Sequence, residues 1–417
     1  YQAAQDFANM GRDDDAIREY LRAVELDPKL GRAYAGLAVA HRNRGDLEAS
    51  RAYYEKAMSL LDQMTEREKY RTRGGYYFVN RNFKQAIEEY RALREKFPAD
   101  PAAYTNLSLA YFYARDMSKA YEEGRRAVEV SPGLVTPLYN LAWYGLSAGK
   151  LGEAEAAARG VVKLDASFAE AHVCLALVRL LEGRNSEAAA EYGAIEGLGA
   201  YAGSLAASGK ADLALYEGRL EDARTLLEAA AAADAGNDLK AMAALKRIGL
   251  AQTLLALGEK DAAVKAAEEA VAGSGNEGVQ FWAGLLFAEA GRDDRARALA
   301  GALDKLLQPE PQACARIIEG ELWMRSGRLP ECVKSIHDAL GAVDAWIGHL
   351  ALGRAYLEAG QFTEAHSEFE TCLARRGEAA SLALDDLPTL RYLPPVYYYL
   401  GRAQEGLGIP SAKDSYK

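Results

Sequence analysis

The sequence predicts an all-α solenoid of about twelve antiparallel helix pairs stacked along one chain. Three observations lead there. A pattern of residue sizes recurs every 34 positions; within each recurrence the apolar residues fall three and four apart in two runs; and a glycine separates the runs while a proline closes the second.

The recurrence is plain at the start. Gly11, Ala16, Tyr20, Ala23 and Pro28 are followed 34 positions later by Gly45, Ser50, Tyr54, Ala57 and Asp62. It continues as Ala86, Tyr90, Leu93 and Pro98, and again as Ala120, Gly124, Ala127 and Pro132. Each unit opens with an aromatic and a Leu-small pair, as in Tyr34, Leu37, Ala38 and Tyr104, Leu107, Ser108. The three-and-four spacing is the helical period, so each unit reads as helix, turn, helix. Small residues at Ala16, Ala86, Ala120 and Ala365 stand where two helices must approach closely, and Tyr20, Tyr54, Tyr90 and Phe369 fill the space behind them. Asp-Pro or Ser-Pro then stops the second helix, because proline lacks the donor that the next turn needs.

This order of aromatic, Leu-small, aromatic, Gly, Ala, aromatic, Ala, Pro resembles the tetratricopeptide repeat, most closely in GRDDDAIREYLRAVELDP and NFKQAIEEYRALREKFP. The resemblance implies a right-handed superhelical array, a single solenoid over residues 1–417, whose first helices line a concave groove. The pattern is well kept over 1–196, drifted over 197–310, where Gly218, Gly258 and Gly291 mark it, and sharper over 311–417, with Gly353, Tyr356, Gly360, Ala365 and Phe369 in one unit and Leu400, Gly401 and Gly408 in the last. The stretch NFKQAIEEYRALREKFPADPAAYTNLSLAY also resembles repeat regions attached to bacterial signalling proteins such as serine/threonine kinases. No kinase motif accompanies it.

The largest departure from the period is residues 377–395, GEAASLALDDLPTLRYLPP, which three prolines and an Asp-Asp pair mark as an extended loop on one face of the array. Tyr1 enters about four residues into a first helix and Lys417 stops within a second, so a longer natural chain is expected, with a removed leader or an upstream domain left open by the missing Met. Uncapped ends would also allow copies to stack end to end into an oligomer or fibre.

Composition narrows the function. A formal charge of -10 and a pI near 5.3 disfavour nucleic acid, which needs a concentrated positive field. Residues 1–200 carry 27 basic and 29 acidic side chains against 23 and 31 in the remainder; residues 51–100 hold 11 against 8. No apolar run is long enough to span a bilayer, and no signal-peptide order opens the chain. The compartment stays open, with the cytoplasm favoured.

Motifs that could carry chemistry lack the context they need. Gly273, Gly275 and Gly278 spell GxGxxG, but a helix precedes them instead of a strand, and Gly197, Gly199 and Gly203 fail likewise. His41, His172, His337, His349 and His366 form no pair at ligand spacing, and Cys174, Cys314, Cys332 and Cys372 show neither CxxC nor metal spacing. Asn106-Leu107-Ser108 fits a glycosylation sequon inside a helix. No cofactor, metal or catalytic residue is expected, and the chain reads as a non-catalytic scaffold whose partner is protein or peptide.

In the resembled family an Asn at the sixth position of the first helix points into the groove and bonds a peptide backbone. Here that position holds Asn106 and Asn140, but Gly36, Thr72, Cys174 and Gly249 in other units. Around the two rungs stand Thr105, Phe112, Tyr139 and Trp143, with Arg71 from the preceding unit, an aromatic trough with amide rungs that suits an extended peptide over residues 67–147. A chaperone-type carboxylate clamp would need paired Lys and Asn rungs, which are missing. Two other readings stand beside this one: end-to-end self-assembly, and an enzyme in 197–310, where no acid, base or nucleophile candidates converge.

Overall fold

The computed structural model describes every residue except 10, 11, 383–386, 411 and 417, so the repeat position Gly11 and the terminal Lys417 lie outside the described residues. Among the described residues there are α-helices and short 3-10 turns but no strand. By compactness the chain divides into two units, Tyr1–Asn140 and Leu141–Lys417.

The first unit pairs α1 (Gln2–Asn9) with α2 (Asp13–Leu26), α3 (Gly31–Asn43) with α4 (Leu47–Met58), α5 (Glu66–Val79) with α6 (Phe83–Lys96), and α7 (Pro101–Tyr113) with α8 (Met117–Val130). Helix starts follow from capping chemistry. Asp46, Asn82, Asp100 and Asp116 each accept a backbone N–H of the helix they precede, Pro101 follows Asp100 at the first helical position, and Thr65 with Glu68 forms a reciprocal capping box on α5. The second helices stop where expected: α2 just before Asp27-Pro28, α6 before Phe97-Pro98, α8 before Ser131-Pro132. The aromatic that opens the next unit then ties back, since the Tyr34 and Tyr104 hydroxyls donate to the Pro28 and Pro98 carbonyls at 3.3 and 2.9 Å.

Glycine explains how close the helices come. A Cβ on Gly36 would lie 2.4 Å from the ring of Tyr20, and one on Gly75 would lie 2.1 Å from the hydroxyl of Tyr54. Tyr20 and Tyr54 of second helices are thus seated on missing side chains of first helices, and the small residues Ala16, Ala86 and Ala120 of the second helices are fully buried. Fully buried Leu37, Leu93 and Leu107 add roughly 1.5–3 kcal/mol each by leaving water.

The second unit begins within α9 (Val135–Ser147) and continues as α10 (Leu151–Leu164), α11 (Ala169–Leu181) with α12 (Asn185–Ile195), α13 (Ala200–Tyr216) with α14 (Leu220–Gly236), α15 (Lys240–Ala256) with α16 (Lys260–Gly273), α17 (Glu277–Glu289) with α18 (Asp293–Asp304), α19 (Pro309–Arg325) with α20 (Leu329–Ala342), α21 (Trp346–Glu358) with α22 (Phe362–Ala374), and α23 (Leu393–Gly406). The drifted stretch has a geometric cause. Helices α13, α14 and α15 run 17 residues each, about a turn longer than α3 or α7 with 13, so the period stretches while the pairing persists.

Those longer helices bury charge. Lys246 Nζ meets the Asp234 carboxylate and lies 2.6 Å from Ser204 Oγ, which itself donates to Asp234 at 2.9 Å. Lys246 and Asp234 side chains are 0% and 3% exposed, and burial lowers the Lys246 pKa against the pull of Asp234. A further buried cation, Arg179, reaches Glu155 at 2.9 Å.

The expected extended surface loop at 377–395 is otherwise where it is described; residues 383–386, with the Asp-Asp pair, lie outside the described residues. Residues Arg376–Ala380 form a 3-10 turn against α11 and α21, and Leu393, Pro394 and Pro395 already belong to the first turn of α23. Ala379, Ala380, Leu390 and Leu393 are at most 1% exposed, so these residues belong to the second unit's core. Gly377 is required there, because a Cβ would come within 1.9 Å of the Leu146 carbonyl oxygen. Of the three prolines that suggested a surface loop, Pro394 and Pro395 open α23, where a missing N–H costs nothing, and only Pro388 lies in the non-helical run before it.

Candidate peptide-binding surface

On α7 the half-buried residues Ala102, Thr105, Asn106, Leu109, Phe112 and Tyr113 form a stripe at three- and four-residue spacing, beside the buried Ala103, Leu107 and Ala110. Asn106 therefore sits on the partly open face. Its counterpart one repeat later, Asn140 on α9, is likewise half-buried, with Tyr139 next to it. Among the described residues neither asparagine side chain makes a hydrogen bond, so both amides keep two donors and an acceptor for an outside partner.

The neighbours differ in how committed they are. The Thr105 carbonyl accepts the Ser108 hydroxyl at 2.8 Å, which satisfies that buried serine. Phe112 stands edge-on to Tyr113, whose ring stands edge-on to Phe78 at 5.2 Å, so the aromatic stripe is partly a packed cluster. Trp143 lies in the second unit, half-buried against its core. Arg71 is engaged within the chain: its Nε donates to Asp100 Oδ2 at 2.8 Å and its Nη2 to the other oxygen, while Arg67 donates to the same carboxylate at 2.8 Å.

That carboxylate also caps α7 by accepting the Ala102 N–H at 3.0 Å. Burial works to raise the pKa of Asp100, but the hydrogen bonds and charges of Arg71 and Arg67 outweigh it and hold the group below its ordinary value. The two arginines thus fix the start of the helix that carries Asn106. Asp100, beside Pro101, was readable as a helix cap, whereas its two partners 29 and 33 positions away were not.

The histidines and thiols have structural environments. His172 pairs with Glu191 at 2.7 Å, His349 with Glu368 and Asp344 at 2.6 and 2.8 Å, His41 with Asp46 at 3.2 Å, and His337 with the Tyr356 hydroxyl at 2.7 Å. Cys174 and Cys332 are buried, and burial pushes their thiols up to about 12 and about 11, which disfavours the thiolate. Gly273 and Gly275 connect α16 to α17 with no strand before them.

Helix pairs with an alanine, a seated aromatic and a closing turn in each are now matched by a family model, described as the tetratricopeptide repeat, over residues 1–61, 72–134, 208–277 and 350–385, more than half of the chain. The chain belongs to the tetratricopeptide repeat family. The third matched stretch of this tetratricopeptide repeat protein includes Gly218 and Gly258, inside the region where the pattern drifts. It is 26% identical over 144 residues to the heat shock protein sti1 homolog of Schizosaccharomyces pombe, covering 28% of this chain and 24% of that one. It is 26% identical over 153 residues to a TPR repeat-containing protein of Methanocaldococcus jannaschii, covering 35% and 27%. The chain thus spans about a quarter of the length of these curated relatives. A solved tetratricopeptide repeat protein from Parabacteroides merdae aligns at TM-score 0.45 with 15% identity, covering 65% of this chain and 99% of that one.

Proposed function

We propose that this protein is a non-catalytic scaffold that holds an extended peptide segment of a protein partner on the face of α7 and α9 in its first unit. The observation that carries this reading is the pair Asn106 and Asn140: two side-chain amides at the same repeat position, half-buried and without a hydrogen bond among the described residues. Side-chain amides in such a series can exchange hydrogen bonds with a peptide backbone, while Phe112 and Tyr139 offer apolar surface to alternate side chains. Arg71 acts by positioning, through Asp100. Nucleic acid is disfavoured as a partner by the net charge of -10.

The test is capture from a lysate by the immobilised chain and by an Asn106→Ala/Asn140→Ala variant whose circular dichroism is unchanged, followed by mapping of the captured segment to a synthetic peptide. A peptide held by the parent and lost by the variant supports the reading. Equal retention by both removes these two residues from the site.

A further inference from the structure

Inside the second unit, the chain already places one of its own extended segments across three successive first helices. Thr389 donates its hydroxyl to the Asp212 carboxylate on α13, and the Leu390 N–H donates to the other oxygen at 3.0 Å. Arg391 brings its guanidinium to 4.0 Å from the same carboxylate and lies over Gly249 on α15, where an added Cβ would meet its Nη1 at 2.9 Å. Tyr392 exchanges hydrogen bonds with the Gln252 amide of α15 at 2.8 and 3.0 Å and stacks on Trp282 of α17, with ring centroids 4.5 Å apart and planes 8° from parallel.

This is the chemistry of a bound peptide: a backbone N–H captured by a side chain, anchors from consecutive residues 389–392, and an aromatic stacked at the end. Gly249 holds the repeat position that carries Asn106 and Asn140 in the first unit, and its missing side chain is what lets Arg391 lie there. The fit leaves only a small cavity, about 30 Å³, bounded by Asp212, Lys246, Trp282 and Leu387 among others. Asp212 is a buried carboxylate, 4% exposed, whose hydrogen-bonding and charge partners named here come from residues 389–391. A groove emptied of the segment would therefore keep a buried acid with its partners gone, and would favour any ligand that restores them.

We propose that the inner face of α13, α15 and α17 is a peptide-binding site that residues 387–392 fill in cis, and that the external ligand it takes is an extended peptide with the order hydroxyl residue, Leu, Arg, aromatic. The proposal concerns the second unit alone and does not rest on the reading of Asn106 and Asn140. The tethered segment competes at an effective concentration of about millimolar, so an added peptide binds the intact chain weakly and binds tightly once the tethered copy is weakened.

The experiment uses the full chain and a fluorescein-labelled Leu-Pro-Thr-Leu-Arg-Tyr peptide, followed by anisotropy. Thr389→Ala/Tyr392→Ala, which weakens the tethered copy and leaves the groove whole, should bind the peptide at least tenfold more tightly than the parent. Adding Asp212→Asn and Trp282→Ala to that variant should abolish the gain. Where the segment variant loses its helical circular dichroism, hydrogen exchange of the parent with excess peptide decides: faster exchange at 389–392 with α13 and α15 still protected supports the proposal. No tightening in a folded variant, or no change in exchange, overturns it and makes the segment ordinary core. A peptide-insensitive dimer, in which a second copy supplies the segment, overturns it too.

Discussion

The Leu390 N–H donates to Asp212 at 3.0 Å across 178 positions of sequence, joining the segment before the last helix to the middle of the array. The carboxylate holds a hydroxyl and a backbone amide at once, and a guanidinium stands nearby, so its loss is felt by several groups. Asp212→Ala is expected to lower the stability of the second unit by about 3–5 kcal/mol, since it strands a buried N–H and removes a carboxylate that faces Arg391. Urea denaturation followed by circular dichroism measures it. A change under about 1 kcal/mol would mean that water replaces the carboxylate without cost.

Lys246 and Asp234 allow a cleaner separation of charge from shape. Lys246→Met alone leaves Asp234 buried without its cation and should cost about 3–5 kcal/mol, while Lys246→Met/Asp234→Leu should recover most of that loss. Urea midpoints of the two variants give the comparison. A double variant as unstable as the single one would show that Ser204, left behind by both, carries the energy instead.

What could be read from sequence was local. The helix pairs announced themselves because their apolar spacing, turn glycines and closing prolines all fall within one 34-residue unit; Tyr90 over Gly74 and Phe369 over Gly353 are such pairs. The inward course of 387–392 was not legible, because its partners Asp212, Gln252 and Trp282 lie far upstream and a short run around Pro388 looks the same whether it faces water or a groove. Arg71 was legible as a residue near the rungs but not as the clamp on Asp100, since cationic side chains on a helix face look alike until their partner is placed. The long helices of the drifted stretch concealed the repeat for a similar reason: an extra turn breaks the spacing without breaking the pairing.

Two glycines separate crowding from backbone strain. Gly209→Ala would place a Cβ 2.1 Å from the fully buried ring of Tyr192 and should cost about 1–3 kcal/mol. Gly183→Ala meets open space but sits at φ 73°, so the left-handed backbone alone should cost about 1–2 kcal/mol. If Tyr192→Leu relieves Gly209→Ala and leaves Gly183→Ala unchanged in thermal melts, the assignment holds; equal relief of both would contradict it.

His172 gives the pH dependence a sign. The hydrogen bond that its ring donates to Glu191 raises its pKa above the ordinary 6.5, with burial opposing. A group with a raised folded value binds its proton more tightly when folded. The stabilisation is therefore complete below about pH 6.5 and fades as pH climbs through the raised value. The urea midpoint of the parent should fall over that interval more than that of His172→Gln. Parallel profiles would mean that the pair titrates alike in folded and unfolded chains.

The central claim is that Asn106 and Asn140 hold a peptide backbone. Its most direct measurement is the affinity of a peptide selected from a displayed library on the parent chain, titrated by anisotropy against the parent and against Asn106→Ala/Asn140→Ala. Two neutral hydrogen-bonding rungs at about 0.5–1.5 kcal/mol each predict a loss of about fivefold or more in affinity with an unchanged circular dichroism spectrum. The same affinity for both chains would contradict the account.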